Sequence, residues 1–181
     1  MELTIAWLSN PETCTIGPGR KSGTAAPRRM PDAARAAALK RRSGDLLAAQ
    51  LTPRPPLAAG LAAARAGATA MLDVSDGLVL DASRIAEASG VCIALEEQLL
   101  AADIAALWEQ YRLADQRARE LVLTGGEDHG MLGTFPPGVR LPGGFRRIGR
   151  VAVGDGVTVD GQRPPARGGW DPFADWSGPG A

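Results

Sequence analysis

Residues 68–77 constrain the fold of this chain more than any other stretch. Ala68-Thr69-Ala70-Met71-Leu72-Asp73-Val74 is a short apolar run, and Ser75-Asp76-Gly77 follows it directly. A run of this length and composition suits a buried strand. From residue 77 to residue 89 the period becomes helical. Leu78, Ala82 and Ile85 face inward, Asp81, Arg84 and Glu87 face outward, and Gly90 provides the stop. A buried strand that turns tightly into a helix is a unit of α/β layering.

The same alternation continues on both sides. Residues 57–66 are Ala-rich with Leu57, Leu61 and Ala64 on one stripe, a helix ended by Gly67. Residues 91–95 read as a strand in which Cys92 is a small core residue. Asp103 is placed to cap a helix whose Ile104, Leu107, Trp108 and Tyr111 share a face. Residues 121–123, 131–135, 145–153 and 157–159 read as strands. The predicted class is α/β (α+β), helices packed on one mixed sheet. Before this body, Asn10-Pro11, Gly17-Pro18-Gly19 and Ala26-Pro27 leave residues 1–31 without an apolar period. Residues 32–50 admit a short helix begun by Asp32. The expected organisation is an unstructured or unrelated arm over 1–44, a folded domain over 45–175 and a tail over 176–181.

Composition narrows the function. Apolar residues at 45% and charged residues at 22% permit an ordinary core. The formal net charge is zero, but residues 1–56 carry +5 and residues 57–181 carry −5. The basic arm (Arg20-Lys21, Arg28-Arg29, Lys40-Arg41-Arg42) has no interleaved aromatics, so no nucleic-acid partner is expected. No apolar run approaches the roughly 18 residues of a membrane span, and the first residues do not read as a secretory leader. Cys14 and Cys92 stand far apart in unlike contexts, which supports neither a disulfide framework nor a cysteine zinc site. A reducing cytoplasm is the expected setting. A single histidine, His129, disfavours histidine-based metal sites and triads.

Three constellations carry chemistry. Asp73, Ser75 and Asp76 stand where a strand ends and Gly77 opens a helix, and ligands of open α/β sheets collect beyond strand ends. Two carboxylates and a hydroxyl are hard oxygen ligands, suited to Mg²⁺ and the phosphates it carries. A plain helix cap accounts for one of the three residues equally well. In Thr124-Gly125-Gly126-Glu127-Asp128-His129 the paired glycines allow close backbone approach to a ligand, or simply form a turn. Its Glu127 and Asp128 suit a metal or a cationic substrate, or solvation. In Gly168-Gly169-Trp170-Asp171-Pro172-Phe173, Trp170 either stacks on a planar heterocycle or tacks the tail to the domain.

Taken in order, Pro53-Arg54-Pro55-Pro56, residues 70–78, Leu123-Thr124-Gly125-Gly126-Glu127-Asp128 and Gly169-Trp170-Asp171-Pro172-Phe173 resemble the C-terminal half of the thiamine-monophosphate kinase family. The resemblance covers roughly residues 45–175. Its implied fold is the C-terminal domain of aminoimidazole-ribonucleotide synthetase-type proteins. Its implied activity is ATP-dependent phosphorylation of thiamine monophosphate to thiamine diphosphate, by direct phosphoryl transfer with Mg²⁺. By that resemblance Asp73 and Asp76 match Mg²⁺ ligands, Ser75 matches an ATP-phosphate contact, and Glu127 and Trp170 match substrate-holding positions. His129, Gly130 and Pro172 depart from the family's Tyr, Glu and His. Residues 1–44 match nothing in the family's N-terminal domain, which supplies the homodimer interface and further acidic residues for ATP. The resemblance therefore implies a truncated chain of weak or no activity by itself. The alternatives are a non-catalytic partner or regulatory domain of the same superfamily, or a cousin using ATP on another substrate.

Overall fold

The computed structural model describes residues 3–8, 52, 54–127, 129–164 and 169. Its first element, β1 (Thr4–Leu8), lies inside the sheet, between two later strands. The remaining elements are α1 (Leu57–Arg65), β2 (Ala70–Val74), α2 (Leu78–Ser89), β3 (Cys92–Leu95), a 3₁₀ turn (Glu97–Leu99), α3 (Ala101–Tyr111), α4 (Asp115–Thr124), β4 (Gly130–Phe135), β5 (Arg146–Ala152) and β6 (Gly156–Val159). Among the described residues six strands run in the order β2-β4-β1-β5-β3-β6. Neighbours are antiparallel except β3 and β6, so the sheet is mixed, as expected.

Residues 4–8 correct the expectation of an unstructured start. Ile5 and Trp7 enter the core beneath α2, α3 and α4, while Ala6 and Leu8 pack on the opposite face with Ala63, Phe135 and Phe145. A strand buried on both faces has no polar alternation, so four apolar residues beside an aperiodic stretch gave no signal. The helix expected within 32–50 and the ending from residue 170 lie outside the described residues.

Both sheet faces are covered. One carries α2, α3 and α4, and the other carries α1 with Val139 and Leu141. Residues 121–123 are the last turn of α4 rather than a strand. Ala118, Leu121 and Val122 are buried at helical spacing, and the Gly125 N–H donates to the Leu121 carbonyl at 2.7 Å. An apolar triplet alone cannot separate the two periods. Asp103 lies in the first turn of α3 but caps nothing, because the helix begins at Ala101. It pairs instead with Arg146 of β5, which donates to the Leu99 carbonyl at 2.6 Å. The Arg146 guanidinium also lies 5.3 Å from the centre of the Trp7 ring. One arginine thereby ties β1, β5 and α3 together.

Two outcomes follow from this packing. Trp7→Ala should cost about 3–5 kcal/mol, the usual penalty for emptying a buried aromatic site. Urea denaturation measures it, and a loss below about 1 kcal/mol would remove residues 4–8 from the sheet. Burial pushes the Asp103 carboxyl above its ordinary 3.8, against the pull of Arg146. Its contribution to stability is then full below pH 3.8 and is lost as pH rises through the higher folded value. Asp103→Asn should therefore flatten the dependence of the urea midpoint on pH just above that value. Parallel profiles for the two proteins would contradict it.

Candidate functional site

The site is built at the carboxyl end of β2, a strand on one edge of the sheet. Leu72 and Val74 face the core, whereas Asp73 is exposed near the strand's end. Ser75 and Asp76 are half-buried, and Gly77 precedes α2 with φ +125°. That backbone conformation favours glycine, and a Cβ at residue 77 would stand 3.0 Å from the Thr124 carbonyl oxygen. The β2–α2 turn therefore sits directly against the end of α4.

The second constellation docks on the same turn. The Glu127 N–H donates to the Ser75 carbonyl at 2.7 Å, and the His129 N–H donates to the Val74 carbonyl at 2.8 Å. These bonds carry the β2–β4 pairing, whose last register pair is Val74 with Gly130, past the end of the strand. A Cβ at Gly126 would lie 2.8 Å from the Ser75 carbonyl oxygen, so glycine is what permits the approach. Glu127 and His129 both adopt positive φ, +68° and +52°. Two left-handed non-glycine residues in so short a loop mark a backbone held by its surroundings. The His129 Nε2 is 3.4 Å from a Glu127 carboxylate oxygen, and the Glu127 side chain is 58% exposed. Gly169 closes the arrangement, because a Cβ there would collide with the Asp76 carbonyl oxygen and touch Leu80. Trp170 and Asp128 lie outside the described residues.

The structure thus brings together Ser75, Asp76, Glu127 and the backbone of Gly169, and leaves Asp73 exposed two residues before Ser75. It also adds two residues that the helical period was expected to turn outward. Asp81 is fully buried. Its Oδ2 accepts N–H bonds from Ser75 and Asp76, each at 3.0 Å. Its Oδ1 meets Arg84 Nη1 at 2.5 Å, and the same nitrogen reaches Asp76 Oδ2 at 2.6 Å. Burial pushes the Asp81 carboxyl above the usual range; the Asp76 backbone N–H and Arg84 oppose that shift. The signal for Asp81 was available: it stands three residues after Leu78 and four before Ile85, on the apolar stripe itself.

The donor set fits a hard cation. Asp73 and Asp76 offer carboxylate oxygens, and one Asp76 oxygen is already paired with Arg84. Among the described residues no three His, Cys, Asp or Glu side chains gather closely enough to hold a metal by themselves. Magnesium is typically held by one or two carboxylates, with water and phosphate oxygens completing the shell.

The chain is similar in sequence and in fold to known proteins. The thiamine-monophosphate kinase of Mycobacterium tuberculosis is 45% identical over 132 residues, which is 72% of this chain and 39% of that protein. The Corynebacterium glutamicum enzyme of the same name is 40% identical over 117 residues, 63% of this chain and 34% of that protein. This chain is a relative of the thiamine-monophosphate kinases. The structure described as AaThiL complexed with AMPPCP and TMP superposes with a TM-score of 0.61 at 26% identity, covering 94% of this chain and 51% of that one. The Stenotrophomonas maltophilia thiamine-monophosphate kinase gives the same TM-score and identity over 88% and 50%. No family model matches. The match spans about two-fifths of the length of the first curated kinase relatives. Among the described residues no helix is long and apolar enough to cross a membrane.

Two substitutions test how this site is built. Gly126→Ala should push the Glu127 loop off the Ser75 carbonyl at a cost of about 1–3 kcal/mol, read as a lower melting temperature and faster exchange of the Glu127 amide. An unchanged exchange rate would refute the close approach. Asp81→Ala should cost about 2–4 kcal/mol by leaving the Ser75 and Asp76 N–H groups without their acceptor and Arg84 with only Asp76. Chemical denaturation measures it, and a near-neutral result would mean that this carboxylate does not hold the turn.

Proposed function

We propose that this domain handles metal, nucleotide and substrate in the ATP-dependent phosphorylation of thiamine monophosphate to thiamine diphosphate. The observation that carries the reading is the convergence of Gly126, Glu127, His129 and Gly169 on the turn over residues 74–76, in a fold shared with a relative complexed with AMPPCP and TMP. Asp73 and Asp76 are assigned to Mg²⁺, Ser75 to a nucleotide phosphate, and Glu127 and Trp170 to the thiamine substrate. Bound Mg²⁺ would supply charge neutralisation of the phosphates. Phosphoryl transfer asks for positioning and electrostatic stabilisation rather than a nucleophilic side chain. A chain with one histidine, and with only Cys92 as a free cysteine among the described residues, is equipped for that chemistry. A cytoplasmic setting belongs to the same reading, and the homodimer contact is assigned to the family's other half.

Binding tests it most directly. The chain should bind thiamine monophosphate in the presence of Mg²⁺ and AMPPCP, and Asp76→Asn should weaken that binding about tenfold or more. Isothermal titration reads both. Absence of binding by the unaltered chain, or an Asp76→Asn variant that binds equally well, would overturn the assignment.

A second reading gives the domain a non-catalytic role. Here the domain acts with a separately supplied N-terminal half, as a non-catalytic or regulatory partner. A coupled assay with ATP, Mg²⁺ and thiamine monophosphate should then show slow turnover by the chain alone and a rise on mixing with that half. Turnover by the chain alone equal to that of a complete relative would exclude it.

A further inference from the structure

Arg84 places one nitrogen between two carboxylates. Its Nη1 lies 2.6 Å from Asp76 Oδ2 and 2.5 Å from Asp81 Oδ1, where a small cation bridging both groups would sit. The Arg84 side chain is 38% exposed, while those of Asp76 and Asp81 are 15% and 0% exposed. We infer that Arg84 is a resident counter-cation of the site, which competes with a divalent ion for Asp76. The inference rests on the reading of Asp76 as a metal-binding residue.

Removing Arg84 has two opposed effects. Loss of the ion pair frees the short Asp76 side chain, which weakens metal binding by the entropy of a few rotamers. Loss of a positive charge beside a doubly charged ion strengthens it, and that repulsion is only partly screened where the carboxylates are buried. The second effect is the larger, because it scales with the charge of the metal. The Ser75 and Asp76 N–H groups keep their acceptor in the variant, since they bind Asp81 Oδ2 and not the oxygen that Arg84 meets. The wild-type site therefore takes a bare cation weakly. It takes one already bound to phosphates better, because phosphate oxygens offset the guanidinium and accept its N–H groups.

Mn²⁺ titration followed by electron paramagnetic resonance tests this without any turnover. Arg84→Gln should bind Mn²⁺ about fivefold more tightly, or better, than the unaltered chain. Arg84→Lys should stay within about twofold of it, because an ammonium can fill the same place. The gain should vanish when Arg84→Gln is combined with Asp76→Asn. Circular dichroism checks that each variant folds, and Arg84→Met serves if the Gln variant does not. Equal or weaker binding by Arg84→Gln overturns the inference alone, as does a gain that survives Asp76→Asn. No Mn²⁺ binding by any variant overturns it together with the metal reading of Asp76.

Discussion

A carboxylate wholly shielded from water must find partners for its oxygens, and Asp81 finds them in the turn that forms the site. One oxygen takes the N–H groups of Ser75 and Asp76, and the other takes Arg84. Burial alone would favour the protonated acid, as the upward pull on its carboxyl shows, so the backbone donors and the guanidinium are what make the ion tenable there. Everything nearby leans on this interaction. With the turn fixed, the Ser75 carbonyl is presented to the Glu127 N–H, and Gly126 and Gly169 can approach without a side chain between. Three segments far apart in sequence then meet around a single aspartate.

The scaffold explains why the site lies where it does. β2 is an edge strand, and solvent reaches its end at the exposed Asp73 and the half-buried Ser75 and Asp76, while β4 beside it brings in the loop from α4. The interior of the sheet is occupied by β1, which supplies both cores and is held to α3 through Trp7, Arg146 and Asp103. Rigidity at the centre and access at the edge suit a site whose ligand shell is completed by phosphates and water.

Much of this was legible in the sequence, for reasons that differ by element. The helix over residues 78–89 announced itself by its apolar stripe and by Gly90, which takes the left-handed conformation at its end. The site motifs were legible because glycine beside acidic residues after an apolar run is an uncommon arrangement. What failed was long-range information. Residues 4–8 carry no period of their own, and only pairing with β4 and β5 makes them a strand. Residues 121–123 are apolar in a way that suits either period, and only Ala118 and the Leu121 carbonyl decide for helix. Asp81 was misplaced because a charge was assumed to face water. Its place on the apolar stripe predicted burial, and a buried aspartate predicts a partner.

The central claim is that residues 73–77, Gly126, Glu127 and Gly169 form one site for metal-bound phosphates and the thiamine substrate. Amide chemical-shift mapping on the isotope-labelled chain, titrated with Mg²⁺, AMPPCP and thiamine monophosphate, tests it most directly. The account predicts that the largest shifts fall on Ser75, Asp76, Gly77, Gly126, Glu127 and Gly169 and saturate together. Shifts centred instead on the groove beside Trp108 and Arg119, or none at saturating ligand, would contradict it.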